Sequence, residues 1–216
     1  GIPRKNLRPL AGKPLIAWTI ECALAVEDRL HRTLVSTDDR SIADVARRFG
    51  ADVPFLRPPE LAMDESSSLD VVKHAVSFAE DEEGAPVDWI LLLQPTSPLR
   101  APKDIHAALD IASEQRCDSV IAVEQVVETH PMLLKTIVDG KLMPYGDAPL
   151  DGARRQDCRP DVFINNGAIY LTRRDVVMEE ASFLGSNARP YRMPPERAVD
   201  IDTEVDFRIA EALIAS

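Results

Sequence analysis

The run Trp89-Ile90-Leu91-Leu92-Leu93 constrains this chain more than any other feature. Five consecutive apolar residues leave no polar face to turn toward water. The run is far short of the roughly 18–20 apolar residues of a membrane span. It fits a strand covered on both faces, the habit of strands in parallel sheets. Asp88 precedes it, and Gln94-Pro95-Thr96-Ser97-Pro98 ends it, because proline brings no N–H to a ladder. Parallel neighbours need crossovers, and the flanking sequence supplies them. Residues 31–36 read as a short strand closed by Thr37-Asp38-Asp39. Residues 41–49 read as a helix capped by Gly50, and 52–56 as a second short strand. Leu69, Val72, Val76 and Ala79 recur at helical spacing behind Ser66-Ser67-Ser68, which can cap that helix. Pro102 opens a further helix with Ile105, Ala108, Leu109 and Ala112 on one stripe, and 119–123 reads as the next strand. This alternation predicts an α/β fold, Rossmann-like and doubly wound around a mostly parallel sheet. Ligands in such folds lie beyond the carboxyl ends of the strands, so residues 37–40 and 94–100 are expected to face the site.

The rhythm breaks over residues 124–165, which carry Pro131, Pro144, Pro149 and Pro160. Within the single domain expected over 1–216, this segment reads as an inserted hairpin arm or long loop. Its Val126, Val127, Met132, Leu133, Leu134, Ile137 and Leu142 are too many apolar residues for an exposed loop. The expectation is a dimerisation arm that crosses to a second subunit and caps the substrate, with His130 or its neighbours near the partner's site. Outside that role His130, before Pro131, reads as a surface histidine. The main pattern resumes at 167–172 and ends with a helix carrying Val205, Ile209, Ala212 and Leu213. The chain opens at Gly1-Ile2-Pro3 without a Met, and further sequence is expected upstream.

Charge and cysteine narrow the partners. Asp and Glu number 36 against 25 Lys and Arg, a net −11 that argues against a nucleic-acid or anionic-membrane partner. An anionic substrate must therefore meet local cations or a metal. Cys22, Cys117 and Cys158 are too few and too scattered for a disulfide framework or a zinc site, so a reducing, cytoplasmic setting is expected.

Four segments could carry chemistry. Arg4, Lys5 and Asn6 beside Gly1 suit a polyphosphate, or form a solvated basic terminus. Asp200 and Asp202 flank Ile201 just before a helix; two hard carboxylates on one side suit Mg²⁺, or Asp202 or Thr203 caps that helix. Residues 94–100 either read a base or sugar or form a stiff turn. Asn165-Asn166-Gly167 is either a hairpin turn or a presented amide. No nucleophile stands beside a base, and there is no Gly-x-Gly-x-x-Gly, so covalent catalysis and dinucleotide chemistry are not expected.

Taken together, these segments resemble the acylneuraminate (sialic acid) cytidylyltransferases. The matching stretches are GIPRKNLRPLAGKPLIAWTI, LVSTDD, LRPPELAMDESSS, LLLQPTSPLR, ARRQD, NNGAIYLT and VDIDTEVDF, and they cover nearly the whole chain in family order. The resemblance implies a fold of the nucleotide-diphospho-sugar transferase type, a homodimer, and a strand and basic loop ahead of Gly1. It implies an enzyme that joins CTP to a nine-carbon 2-keto sugar acid, with Mg²⁺ as cofactor. Pseudaminic, legionaminic or 3-deoxy-manno-octulosonic acid are the alternative substrates, and a noncatalytic nucleotide-binding homologue is the rival of another class. By resemblance, Lys5, Asn6, Arg57, Ser66, Ser67, Gln94 and Thr96 would meet the nucleotide. Gln94, Ser97, Arg154, Gln156 and Asn166 would meet the sugar acid, with Arg155 a further cation for its carboxylate. Lys5, Asp200 and Asp202 would carry catalysis, the two aspartates as metal ligands.

Overall fold

A computed structural model describes residues 2–63, 65–148 and 154–215. Gly1 and residues 149–153, on which parts of the expected phosphate site and arm fall, lie outside the described residues. Strands β1 (Pro9–Leu10) and β2 (Lys13–Pro14) form a tight hairpin whose turn residues Ala11 and Gly12 both have positive φ. Helix α1 (Leu15–Leu24) follows directly, then α2 (Arg40–Arg48), α3 (Ser68–Glu83), β3 (Trp89–Leu92), α4 (Pro102–Glu114) and β4 (Ser119–Gln125). The hairpin β5 (Lys135–Val138) and β6 (Lys141–Pro144) comes next. Then come β7 (Phe163–Arg173), α5 (Arg174–Met178), β8 (Ala188–Arg192) and α6 (Glu204–Ile214).

The main sheet has the order β3-β7-β4-β8. Strand β8 is parallel to β4, while β7 is antiparallel to both β3 and β4. Three strands thus point one way and β7 points the other. The reason lies in the connection. Gln125 pairs with Phe163, so β4 and β7 are the legs of one long hairpin whose loop is the inserted arm. Such a return needs no crossover helix and reverses direction. The expected strands at 31–36 and 52–56 shrink to one parallel bridge, Leu34 with Asp52, where the Val35 amide donates to the Asp52 carbonyl at 2.8 Å. Neither segment gains a second partner among the described strands to extend the ladder.

Helices cover both faces of β3, as its unbroken apolar run requires. Trp89 and Leu91 pack into a core with Cys22 and Val26 after and within α1's end, Ile105 and Ala108 of α4, and Val120 and Leu171 of the sheet. Ile90 and Leu92 face the opposite side, against Val72 and Val76 of α3 and Val177 of α5. Fully burying each such aliphatic side chain contributes about 1.5–3 kcal/mol, which is what holds these helices against the sheet. Helix α6 brings Phe207 and Ala210 onto Leu10, Leu15 and Ile201, so the two ends of the chain share one core. All three cysteines are buried and free.

Candidate active site

The carboxyl end of β3 opens into residues 94–100, and three other segments fasten to this loop. The Ile201 amide donates to the Thr96 carbonyl at 2.8 Å, docking the Asp200–Asp202 segment onto it. Ser97 is fully buried, and its hydroxyl donates to the Asn166 carbonyl at 3.1 Å. The Arg100 guanidinium donates to the Ala168 carbonyl at 2.8 Å and the Thr19 hydroxyl at 2.9 Å. Lys5 completes the set from the front of the chain: its Nζ donates to the Ile201 carbonyl at 2.5 Å and to Asp202 Oδ1 at 3.1 Å. Lys5, Gln94, Thr96, Ser97, Asn166, Asp200 and Asp202 are thereby joined into one framework.

Asn165-Asn166-Gly167 is not a hairpin turn; Asn165 is exposed, while Asn166 and Gly167 are buried. The segment lies in a bulge of β7, where Ala122 alone faces residues 166–169 between the pairs Ile121–Tyr170 and Val123–Asn165. Gly167 takes φ +75° there. The Asn166 side chain is buried, accepts from the Ala168 amide at 3.2 Å and points its Nδ2 at Met193 Sδ. In this arrangement the amide supports the bulge.

The two aspartates differ in setting. Asp202 is 76% exposed and held by Lys5. Thr203, with Asp206, caps α6 through reciprocal bonds, which leaves the Asp202 carboxylate without a capping duty. Asp200 Oδ1 is buried and, among the described residues, has no hydrogen-bond partner. Its charge is felt nearby: burial raises the pKa of Glu124 and of Tyr170, and Asp200 raises both further. Among the described residues, no three His, Cys, Asp or Glu side chains gather as a metal cluster. A buried carboxylate oxygen without a partner beside a second, exposed carboxylate nevertheless fits Mg²⁺, which commonly takes one or two carboxylates and fills its remaining positions with water and phosphate.

The remaining expected residues stand apart from this framework. Arg57 donates from Nη2 to Asp38 at 2.8 Å and from its amide to the Thr37 carbonyl at 2.8 Å, so it belongs to the 37–40 loop, and its Nε is buried without a partner. Ser66 bridges the Glu60 carbonyl and the Met63 amide, and Ser67 caps α3 by accepting from the Asp70 amide. Asn6 lies in the single turn Lys5–Leu7. Arg154 pairs with Asp157 at 2.5 Å, Arg155 with Glu128 at 3.1 Å, and Gln156 is exposed beside them; no hydrogen bond or ion pair joins these three to the 94–100 loop. His130 is not a surface residue: it is 4% exposed. Its Nε2 donates to the Pro160 carbonyl at 2.9 Å and its Nδ1 accepts from the Met132 amide at 3.2 Å, tying the start of the arm to its end.

Sequence reasoning missed Glu124 and Tyr170, and placed Arg100 only at the end of a polar loop, not in the interior. Glu124 carried a signal, an acid closing the buried run Val120-Ile121-Ala122-Val123. Arg100 carried none, because an arginine after a proline turn looks solvated until its burial is seen. A depression of about 470 Å³, lined by Trp89, Arg116, Asp118, Arg173 and Asn187 among others, sits at the opposite end of the strands, and none of the expected site residues lines it.

A lysine and a pair of carboxylates are thus gathered on the loop beyond the end of β3 in an α/β fold. The fold agrees with two solved structures. One is a CMP:2-keto-3-deoxy-manno-octonic acid synthetase complexed with CTP, at TM-score 0.66 and 21% identity, covering 99% of this chain and 92% of that one. The other is the 4-diphosphocytidyl-2C-methyl-D-erythritol synthase of Anaerococcus prevotii, at TM-score 0.67 and 11% identity, covering 97% and 91%. Residues 1–180 match the cytidylyltransferase family, and the chain belongs to it. It is 36% identical to N-acylneuraminate cytidylyltransferase A of Danio rerio over 98% of its length and 47% of that protein's. It is 36% identical to the N-acylneuraminate cytidylyltransferase of Streptococcus agalactiae serotype III, over 96% and 48%. It is 34% identical to the CMP-N,N'-diacetyllegionaminic acid synthase of Legionella pneumophila, over 99% and 90%. The chain thus spans about half the length of the N-acylneuraminate enzymes it matches.

Proposed function

We propose that the protein transfers the cytidylyl group of CTP to a nine-carbon 2-keto sugar acid of the N-acylneuraminate type. The anomeric hydroxyl attacks the α-phosphorus and gives up its proton to solvent, the bond from that phosphorus to the bridging oxygen breaks, and pyrophosphate leaves with the electron pair. The observation that carries this reading is the docking of the Asp200–Asp202 segment, with Lys5 on it, against the loop that ends β3. Positioning and charge neutralisation, rather than a covalent step, then have to supply catalysis. Lys5 sits on Asp202 in the free protein and can turn its ammonium to the triphosphate. Gln94 and Thr96 border nucleotide and sugar acid from the same loop. Asn6, Arg57, Ser66 and Ser67 serve the nucleotide side, and Ser97, Asn166, Arg154 and Gln156 the sugar-acid side. Asp200 and Asp202 would hold Mg²⁺, which when bound supplies charge neutralisation at the phosphate oxygens. The apolar arm supports a homodimer, and three free, buried cysteines suit a reducing, cytoplasmic setting.

Similarity to a legionaminic acid synthase supports a second reading, the same reaction on a legionaminic-type acid. Full-length protein assayed with CTP, UTP and GTP, each against N-acetylneuraminate, legionaminate, pseudaminate and 3-deoxy-manno-octulosonate, tests both. CTP is expected to lead by about 10²-fold or more, since a pocket that hydrogen-bonds one base edge rejects the wrong one strongly. A nine-carbon acid is expected to lead the acids. Equal rates with UTP or GTP, or turnover of the eight-carbon acid alone, would refute the assignment.

A further inference from the structure

Arg100 is 3% exposed; among the described residues it donates to three neutral oxygens, the Cys22 thiol lies beside it, and the charge of Asp104 reaches it without a hydrogen bond. Its Nη1 donates to the Ala168 carbonyl at 2.8 Å and reaches the Gln94 carbonyl at 3.4 Å. Its Nη2 donates to the Thr19 hydroxyl, and Thr19 in turn reaches the Gln94 carbonyl at 3.5 Å. Its Nε is buried with no partner. The molecule contains the ordinary alternative a few residues away, where Arg197 forks onto the fully buried Asp104 carboxylate at 2.8 and 3.0 Å. Asp104 makes no hydrogen bond to Arg100. A guanidinium buried for stability alone would be matched to such a carboxylate. Arg100 is matched instead to the backbone on two sides of one contact. Gln94 and Ala168 flank the place where the Gln94 amide lies against Gly167. A Cβ on Gly167 would overlap Gln94 Oε1 and stand 3.4 Å from Ser97 Oγ. The seat of that amide thus has a floor only a glycine leaves open, and walls whose spacing one buried arginine sets.

We propose that Arg100 is a positioning residue that fixes the Gln94 amide against Gly167, and so sets the boundary between nucleotide and sugar acid; this rests on the cytidylyltransferase reading. With Nη1 on the two carbonyls and Nη2 on the Thr19 hydroxyl, one planar guanidinium holds the 94–100 loop, β7 and α1 at fixed spacing, which a single ammonium cannot do. Misplacing a substrate-positioning group by about 1 Å costs on the order of 10²-fold in rate, so small shifts at this seat are visible in kinetics.

The test uses full-length protein, with kcat and KM measured for CTP and for the best acid. Arg100→Lys keeps the charge and loses the fork, and is expected to lower kcat/KM by about 10-fold or more. Gly167→Ala is expected to do the same by displacing the amide. Because both act on one group, the double variant is expected to lose no more than the worse single, and Gly167→Ala is expected to cost under about 3-fold in a Gln94→Ala background. If Arg100→Lys does not fold, Thr19→Val removes one anchor and takes its place, with the same non-additivity expected. Penalties that multiply, or normal kinetics in Arg100→Lys or its replacement, would overturn the proposal. A wild-type protein with no cytidylyl transfer would instead overturn the reading beneath it.

Discussion

Asp104 does at residue scale what Arg100 does not: it balances a buried charge in full. Its carboxylate accepts the Arg197 fork, the Tyr191 hydroxyl at 2.6 Å and the Ala101 amide at 2.8 Å. Burial alone would raise its pKa, but Arg197, Tyr191 and Ala101 together outweigh it and hold the carboxyl below its usual range. The cluster matters for the site because Arg197 lies three residues before Asp200. Asp104→Asn leaves the Arg197 guanidinium, 19% exposed, beside a neutral amide, and is expected to cost about 1–3 kcal/mol near neutral pH. A carboxylate with a depressed folded pKa contributes fully above its unfolded value, near 4, and loses that contribution as pH falls toward the folded value. Urea unfolding of both proteins should therefore show a full gap above about pH 5 that narrows below about pH 4. A gap that does not change with pH would contradict this role. Asp104 was not legible as such in the sequence. An acid in the first turn of a helix reads as an ordinary N-terminal charge, and its partners lie some ninety residues away.

The element most open to test is the β5–β6 hairpin. Asp139 and Gly140 turn it with positive φ at both positions, and Ile137 pairs with Leu142. Ile137 is 74% exposed and Leu142 64%, with Val138 and Met143 exposed on the same ribbon. We expect this apolar ribbon to be covered by a second subunit, so that light scattering gives a dimer mass for wild type and a monomer mass for Leu142→Asp, with the latter impaired in turnover. A wild-type monomer with full activity would exclude both the dimer and a shared site. Prolines and apolar residues mark a break in the strand–helix rhythm there, and the β5–β6 hairpin lies within that stretch. The consequence for the sheet was not legible, because a strand's residues carry its burial and not its direction. The apolar run of β3 reported two covered faces, and helices α1 and α4 on one side and α3 and α5 on the other supply them. Nothing in GAIYLT reported that β7 runs against its neighbours; the closing of β4 and β7 as one hairpin decides that. The spacing of Asp200 and Asp202 can be read from the sequence, whereas the contact that docks their segment, the Ile201 amide on the Thr96 carbonyl, is tertiary.

For the whole molecule, the proposed reaction asks how a chain of net charge −11 would handle a triphosphate and a sugar carboxylate. The fold answers by bringing its two ends together, so that Lys5 and the Asp200–Asp202 segment meet over the loop that closes the central strand. Elsewhere several cations are paired with local acids, as in Arg8 with Glu204, Arg32 with Asp52 and Arg174 with Glu80. Among the described residues no helix is long and apolar enough to cross a membrane. The account stands or falls on whether that meeting point transfers the cytidylyl group. The most direct measurement is pyrophosphate release by full-length wild type and Asp202→Asn, titrated with Mg²⁺ at saturating CTP and sugar acid. The expected result is release that requires all three additions and falls by about 10²-fold or more in Asp202→Asn, since that change removes charge where phosphate must be neutralised. The melting temperature should barely move, because Asp202 is exposed and the cap of α6 belongs to Thr203. Release by Asp202→Asn at the wild-type rate under limiting Mg²⁺ would contradict the account.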